Sequence, residues 1–424
     1  MKTALLAFAL LIFVAAGSAC GETITLAEAL KKAEAANHGL RVSAYDERLA
    51  SENVRLNRSG YLPKVDFQAG YTAQLEPQSI TLPTGGSFAT QEADFAFLSL
   101  GIYQTLYDFG RTDARYSRAQ ATREATRFGY EGQKQDTFLQ VVRAYFRILQ
   151  GQKLLQAAAD EVKQMTDHLR VAQNLFDQGV VTRNDLLQAE VRLASSRQRR
   201  LDVANSMENA WLGLNYLTGD DPTYRGELVE GTKVEVSGLD APVEEILARR
   251  AEVRAQKKLL EGSEQDVAES KGGYYPELFA RAGLDYVQND KVKEQTIMAA
   301  TIGLKVNLFD GFATTSRYRQ AVENRSRAGE RLRHVEADIA LEYRSAVNDA
   351  KVAAERISVT ESSIRQGEEN LRINRDRYLE QVGTATDVID AQTLLTQIRT
   401  EHYQAMFDYE VALARVKRAR GELY

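Results

Sequence analysis

The sequence predicts a mainly helical, internally duplicated chain that also carries four strands of the kind used to cross a bilayer. Three observations predict it. A block of motifs recurs at a constant shift, which marks duplication of a whole structural unit. The stretches before each recurring joint alternate apolar and polar residues with the period of a strand. After each joint come long runs without proline, as helix interiors require.

The repeat is explicit. LYDFGRTDARYSRAQA begins at Leu106 and LFDGFATTSRYRQAVE at Leu308, a shift of 202. FDQGVVTRNDLLQAE begins at Phe176 and YLEQVGTATDVIDAQ at Tyr378, again a shift of 202. Upstream, YLPKVDFQAGY at Tyr61 resembles YYPELFARAGLDY at Tyr274, where the shift is 213. The first copy therefore holds 11 more residues before its joint, and SITLPTGGSF (79–88) is the natural loop for them.

Taken in order, residues 1–20 read as a secretory signal: Lys2, an apolar run from Ala4 to Ala16, then small residues. The first repeat spans 21–217. An amphipathic helix from Leu26 to about Arg58 ends before Pro63, since the residue preceding a proline disfavours helix. A hairpin follows over 64–106, with strands at 65–75 and 95–106. A helical run of about 65 residues then reaches a tip near 179–185, and about 35 residues return. The linker 218–242 carries Pro222 and Pro242. The second repeat, 243–424, has a helix from Val243 to about Ser270, a hairpin over 276–308 with strands at 278–287 and 297–308, and a tip near 381–387. Tyr424 ends a helical tail, not a strand.

Strands of about 10 residues suit a tilted bilayer crossing. Four cannot close on themselves, and hydrocarbon allows no open edge, so membrane strands here require several chains to share one barrel. Tyr61, Phe67, Tyr71, Phe95, Tyr103, Tyr107, Tyr274, Tyr275, Tyr286 and Phe309 would suit an interfacial girdle. The competing reading is two soluble hairpins packed on helices. Each 65-residue helix would measure roughly 100 Å.

Chemistry-bearing patterns are sparse. The 424 residues carry a net charge of −5, which argues against a nucleic-acid partner held by phosphate contacts. His38, His168, His334 and His402 are scattered, and no phosphate-cradling or dinucleotide fingerprint occurs. No catalytic residue, metal site or cofactor is expected. Cys20 is the single cysteine and lies where a signal would be cut. It is either a lipid-modified N-terminus or incidental to cleavage after Ala19; Gly17 stands where a lipidation box usually has an apolar residue.

The duplicated order of helix, YLPK, strand hairpin, LYDFGR/LFDGF joint, long helices and a D-V-x-D-A-Q tip resembles the TolC-like outer-membrane efflux protein family, from about Ile24 to Tyr424. The resemblance implies a homotrimer whose chains each give four strands to a 12-stranded outer-membrane β-barrel, continued by a periplasmic α-helical barrel. It places the protein in the outer membrane of a Gram-negative type bacterium, extending into the periplasm, with the linker in an equatorial belt. It implies a passive exit duct of a tripartite efflux pump or type I secretion system, with outer-membrane lipid around it. Its partners would be a periplasmic adaptor and an inner-membrane pump of RND, ABC or MFS type. A periplasmic coiled-coil structural or adaptor protein without a barrel is the alternative.

The stretch VGTATDVIDAQ (382–392) holds Asp387 and Asp390 three apart, on one helix face. By resemblance they fall on the aspartates that ring the family's periplasmic entrance, and Tyr378 and Asp185 match the pair linking helix tips. The family's Arg five residues after that Tyr is Gly383 here, and its tip Gly, kept as Gly179, is Gln381 in the second copy. Arg183 is a candidate replacement for the missing cation. The bland reading is that acids near a helix N-terminus complement its dipole. RLASSRQRR (192–200) reads as a solvated helix face.

Overall fold

A computed structural model describes residues 23–231, 233, 234, 236, 238–380 and 382–423. The signal segment with Cys20, Gln381 and Tyr424 lie outside the described residues. In chain order the elements are β1 (Thr23–Ile24), α1 (Leu26–Ala36), α2 (His38–Arg58), a 3₁₀ turn (Ser59–Tyr61), β2 (Lys64–Ala73), β3 (Ser79–Thr81), β4 (Ser87–Ala89), β5 (Asp94–Tyr107) and α3 (Arg111–Asp177). There follow α4 (Arg183–Thr218), β6 (Glu227–Leu228), α5 (Val243–Arg249), α6 (Ala251–Gly272), β7 (Glu277–Val287), β8 (Thr296–Lys305), α7 (Ala313–Leu379) and α8 (Ala385–Arg420). Among the described residues no helix is long and apolar enough to cross a membrane.

Two compact units result, and α3, α7 and α8 contribute to both. One is made of the described residues within His38–Leu139, Val236–Ala350 and Ala412–Tyr424. Its centre is one antiparallel sheet in the order β2-β5-β7-β8. Each hairpin pairs internally, Lys64 opposite Tyr103 and Glu277 opposite Lys305, and the two hairpins join through β5 and β7, with Ser99 opposite Asp285. Pro63 and Pro276 stand directly before β2 and β7, where a missing N–H costs no ladder bond. β2 and β8 form the two edges.

The other unit is made of the described residues within Met1–Asn37, Gln140–Glu235 and Lys351–Val411. There β1 pairs in parallel with β6 of the linker. The Tyr145 hydroxyl of α3 donates towards the carbonyls of Ile24, at 3.0 Å, and Val229, at 3.2 Å, pinning both segments to the long helix. Val141, Val142, Phe146 and Ile148 are buried on several sides of α3, while Trp211 and Leu214 of α4 and Leu26 and Leu30 of α1 complete the core.

Three expectations change. The first helix of each repeat breaks, at Asn37 and at Arg250, both with extended backbone (ψ 123 and 127). The reason is a cap: Asn37 donates to the Leu217 carbonyl ending α4, and Arg250 to the Arg418 and Ala419 carbonyls ending α8. The loop at 79–88 holds a small hairpin of its own, β3 on β4. Finally, β8 stops at Lys305 and leaves Leu308 and Phe309 exposed, whereas β5 runs on to Tyr107 through a bulge between Thr105 and Tyr107.

Candidate functional site

The register sorts the sheet into two unlike faces. Across one row, Val65, Ile102, Ala282 and Ala300 stand side by side; across the next on that face, Phe67, Leu100, Leu284 and Met298. A third row, Ala69, Leu98, Tyr286 and Thr296, closes the far end of the same face. These three rows are apolar but for Thr296, and Val65, Phe67 and Met298 are largely exposed on them.

The opposite face is mostly polar. Lys64, Tyr103, Arg281 and Thr301 share one row, and Gln68, Ser99, Asp285 and Ile297 another, where the Ser99 hydroxyl donates to Asp285 at 2.5 Å. On this face Phe97 lies over Gly70 and Phe279 over Gly303, its directly opposed glycine in each case. One apolar and one polar face is the alternation of a strand with lipid on one side and water on the other.

The expected girdle holds only in part. Period-two alternation puts Phe67 on the apolar face well inside β2 and Tyr103 on the polar face, so neither belongs to an end belt. At the helix end, the rings of Tyr107, Phe109 and Tyr275 follow one another at 4.8 and 4.9 Å, with Tyr61–Tyr116, Tyr274–Tyr318 and Phe309–Phe312 beside joints of the same unit.

Both strand-to-helix joints use one device. Two successive residues take positive φ, Phe109 (56) with Gly110 (84) and Gly311 (63) with Phe312 (68). The preceding aspartate then caps the helix. Asp108 accepts from the backbone and hydroxyl of Thr112 at 2.8 and 2.6 Å, and Asp310 from those of Thr314 at 2.9 and 2.7 Å. The D-x-x-x-T spacing in both copies was the available signal. Close by, Glu277 accepts from Tyr103, Thr105 and Arg111, at 2.8, 3.1 and 2.9 Å.

At the tips the candidate gate residues have distinct situations. Asp185 forms a capping box with Thr182, accepting from its backbone N–H at 2.9 Å and its hydroxyl at 2.8 Å. Asp387 repeats the arrangement with Thr384, accepting its N–H at 2.9 Å. Those bonds, with the nearby Arg377 charge, hold its carboxyl below the usual range. Asp390 is exposed and lies 4.0 Å from Arg192. Tyr378 makes no hydrogen bond to Asp185: its hydroxyl is buried without a partner among the described residues, and its ring lies 6.3 Å from that of His168. Burial, then the Asp185 charge, pushes the phenol up.

Sequence reasoning missed Arg377, Arg192 and His168. Arg183 makes no ion pair among the described residues. RLASSRQRR is not wholly solvated, because Arg199 donates to the buried Glu161 at 2.7 and 2.9 Å. Gly383 has a steric reason. Its N–H donates to the Arg377 carbonyl at 3.0 Å, and a Cβ there would sit 3.1 Å from that of Arg377. No cluster among the described residues could hold a metal ion.

The model of the outer membrane efflux protein family matches residues 29–220 and 243–422. The outer membrane protein TolC of Vibrio cholerae is 25% identical over 418 residues, covering 94% of this chain and 91% of its own. The alkaline protease secretion protein AprF of Pseudomonas aeruginosa is 21% identical over 391 residues, covering 90% and 81%. Among solved structures, the CmeC outer membrane channel of Campylobacter jejuni superposes with a TM-score of 0.84 at 16% identity, covering 94% of this chain and 86% of that one. The mainly helical fold with a four-stranded sheet is thus the fold of outer-membrane channels, as the sequence led one to expect. With the family model matched over both repeats, the chain belongs to the outer membrane efflux protein family.

Proposed function

We propose that three copies of this chain close a 12-stranded barrel in the outer membrane and form the passive exit duct of an efflux or type I secretion assembly. The observation that carries this reading is the sheet β2-β5-β7-β8, with two edge strands and one apolar face. In hydrocarbon the β8 edge of one copy must pair with the β2 edge of the next, since unpaired backbone groups there are costly. An inner-membrane pump and a periplasmic adaptor deliver cargo at the helix tips. Relatives named for efflux and for protease secretion both occur, so the cargo class stays open between small solutes and proteins.

The gate at the tips is Asp390 with Asp387, supported by Tyr378 and Asp185. Asp390 is the exposed carboxylate of the set outside any cap, while Asp387 and Asp185 are occupied in caps. Lipidation of Cys20 would add a membrane tether. Detergent extraction followed by unheated and heated gel electrophoresis tests the assembly: a heat-dissociable outer-membrane trimer is expected. A soluble periplasmic monomer overturns the channel reading in favour of a coiled-coil adaptor.

A further inference from the structure

On the polar face of the sheet the basic residues lie at the helix end of the strands, with Glu277 as a carboxylate among them. Lys64 and Arg281 share one cross-strand row with Tyr103 and Thr301, and Lys305 lies towards the helix end on the same face. Glu277, opposite Lys305, is occupied by Arg111, Tyr103 and Thr105. Towards the loop end the charged residues of this face are Asp66 and Asp285, the latter held by Ser99. Asp66 shares its row with Gly101, Gly283 and Ala299, so it is the charged side chain that lies between the Lys64 row and the Asp285 row.

Lys64 and Arg281 are two strands apart, about 10 Å at ordinary strand spacing. That exceeds the ~8 Å screening length at physiological salt, so their fields overlap mainly at lower ionic strength, and Asp66, two residues along β2, lies nearer to Lys64. We propose that Lys64, Arg281 and Lys305 form a basic belt on the tunnel wall at the base of the barrel, which draws small anions and anionic groups of cargo. The belt rests on the reading of the polar face as the lumen. Rings of like charge set the sign of the favoured ion in a pore.

Reversal potentials across a KCl gradient in planar bilayers test it, with trimers checked by heat dissociation. Lys64→Gln/Arg281→Gln/Lys305→Gln should raise the K⁺/Cl⁻ permeability ratio by about twofold or more, and Asp66→Asn/Asp285→Asn should lower it. Both shifts should shrink at high salt. Conducting trimers whose ratio is unchanged in both variants overturn the belt and leave the barrel standing. A wild-type chain that forms no conducting trimer overturns the barrel reading and the belt with it. If the triple variant does not assemble, the single Arg281→Gln must still shift the ratio in the same direction, and an unchanged ratio there overturns the belt.

Discussion

Arg250 donates to the Ala419 carbonyl at 2.9 Å with 3% of its side chain exposed, closing the end of α8. Asn37, 213 residues earlier, closes the end of α4 through Leu217 at 3.2 Å. The same helix break thus serves as a cap in both repeats, with different chemistry. Arg250 also meets Glu252 and Glu342, at 2.8 and 3.0 Å, and Arg418 joins Asp136 to the network. Arg250→Met should cost about 3 kcal/mol, because it strips the buried carbonyls of their donor and leaves half-buried carboxylates short of a cation. Asn37→Ala should cost about 1 kcal/mol. Denaturant unfolding of the purified protein checks the order.

The two faces of the sheet should respond oppositely to charge. Leu100→Arg on the apolar face should cost about 2–4 kcal/mol and reduce trimer yield. Ser99→Arg, one residue away on the polar face, should assemble. Heat-modifiable gels read both.

At the joints, Gly110 and Gly311 hold positive φ. Alanine at either should cost about 1–2 kcal/mol, since an added Cβ strains that region. Thr112→Val and Thr314→Val remove one hydroxyl donor to each capping aspartate and should cost less than Asp108→Ala or Asp310→Ala. Thermal dissociation of the trimer ranks them.

The tip should loosen in acid. Burial holds His168 below its ordinary value of 6.5, so the unfolded tip binds a proton that the folded tip resists. Stability is therefore full above about pH 6.5 and falls as pH drops towards the lowered folded value. Hydrogen exchange over residues 164–182 should quicken between about pH 7.5 and 5.5 beyond the intrinsic pH dependence of exchange, and His168→Gln should remove the change.

Asp387 and Asp390 should separate. Asp387→Asn weakens a capping box, so hydrogen exchange in the first turn of α8 should quicken. Asp390→Asn should leave tip exchange unchanged and reduce divalent-cation block of single channels. Unchanged block would sink the gate.

The repeat, the strand pairs and the long helices were legible because each follows from local periodicity and proline placement, as at 64–73 and 111–177. The breaks at Asn37 and Arg250 were not, since their cause is a carbonyl at the end of a helix 180 and 168 residues away. Gly383 looked like a departure from the family, and only its crowding against Arg377 supplied a reason.

By itself the sequence determined which residues alternate, where helices cannot run and that the unit is built twice, because these are properties of neighbours along the chain. Tertiary structure decided which residues share a face, which aspartates are spent on caps and which stands outside any cap. Those outcomes depend on register and on groups brought together from distant segments, and a one-residue slip in register would exchange the two faces of a strand.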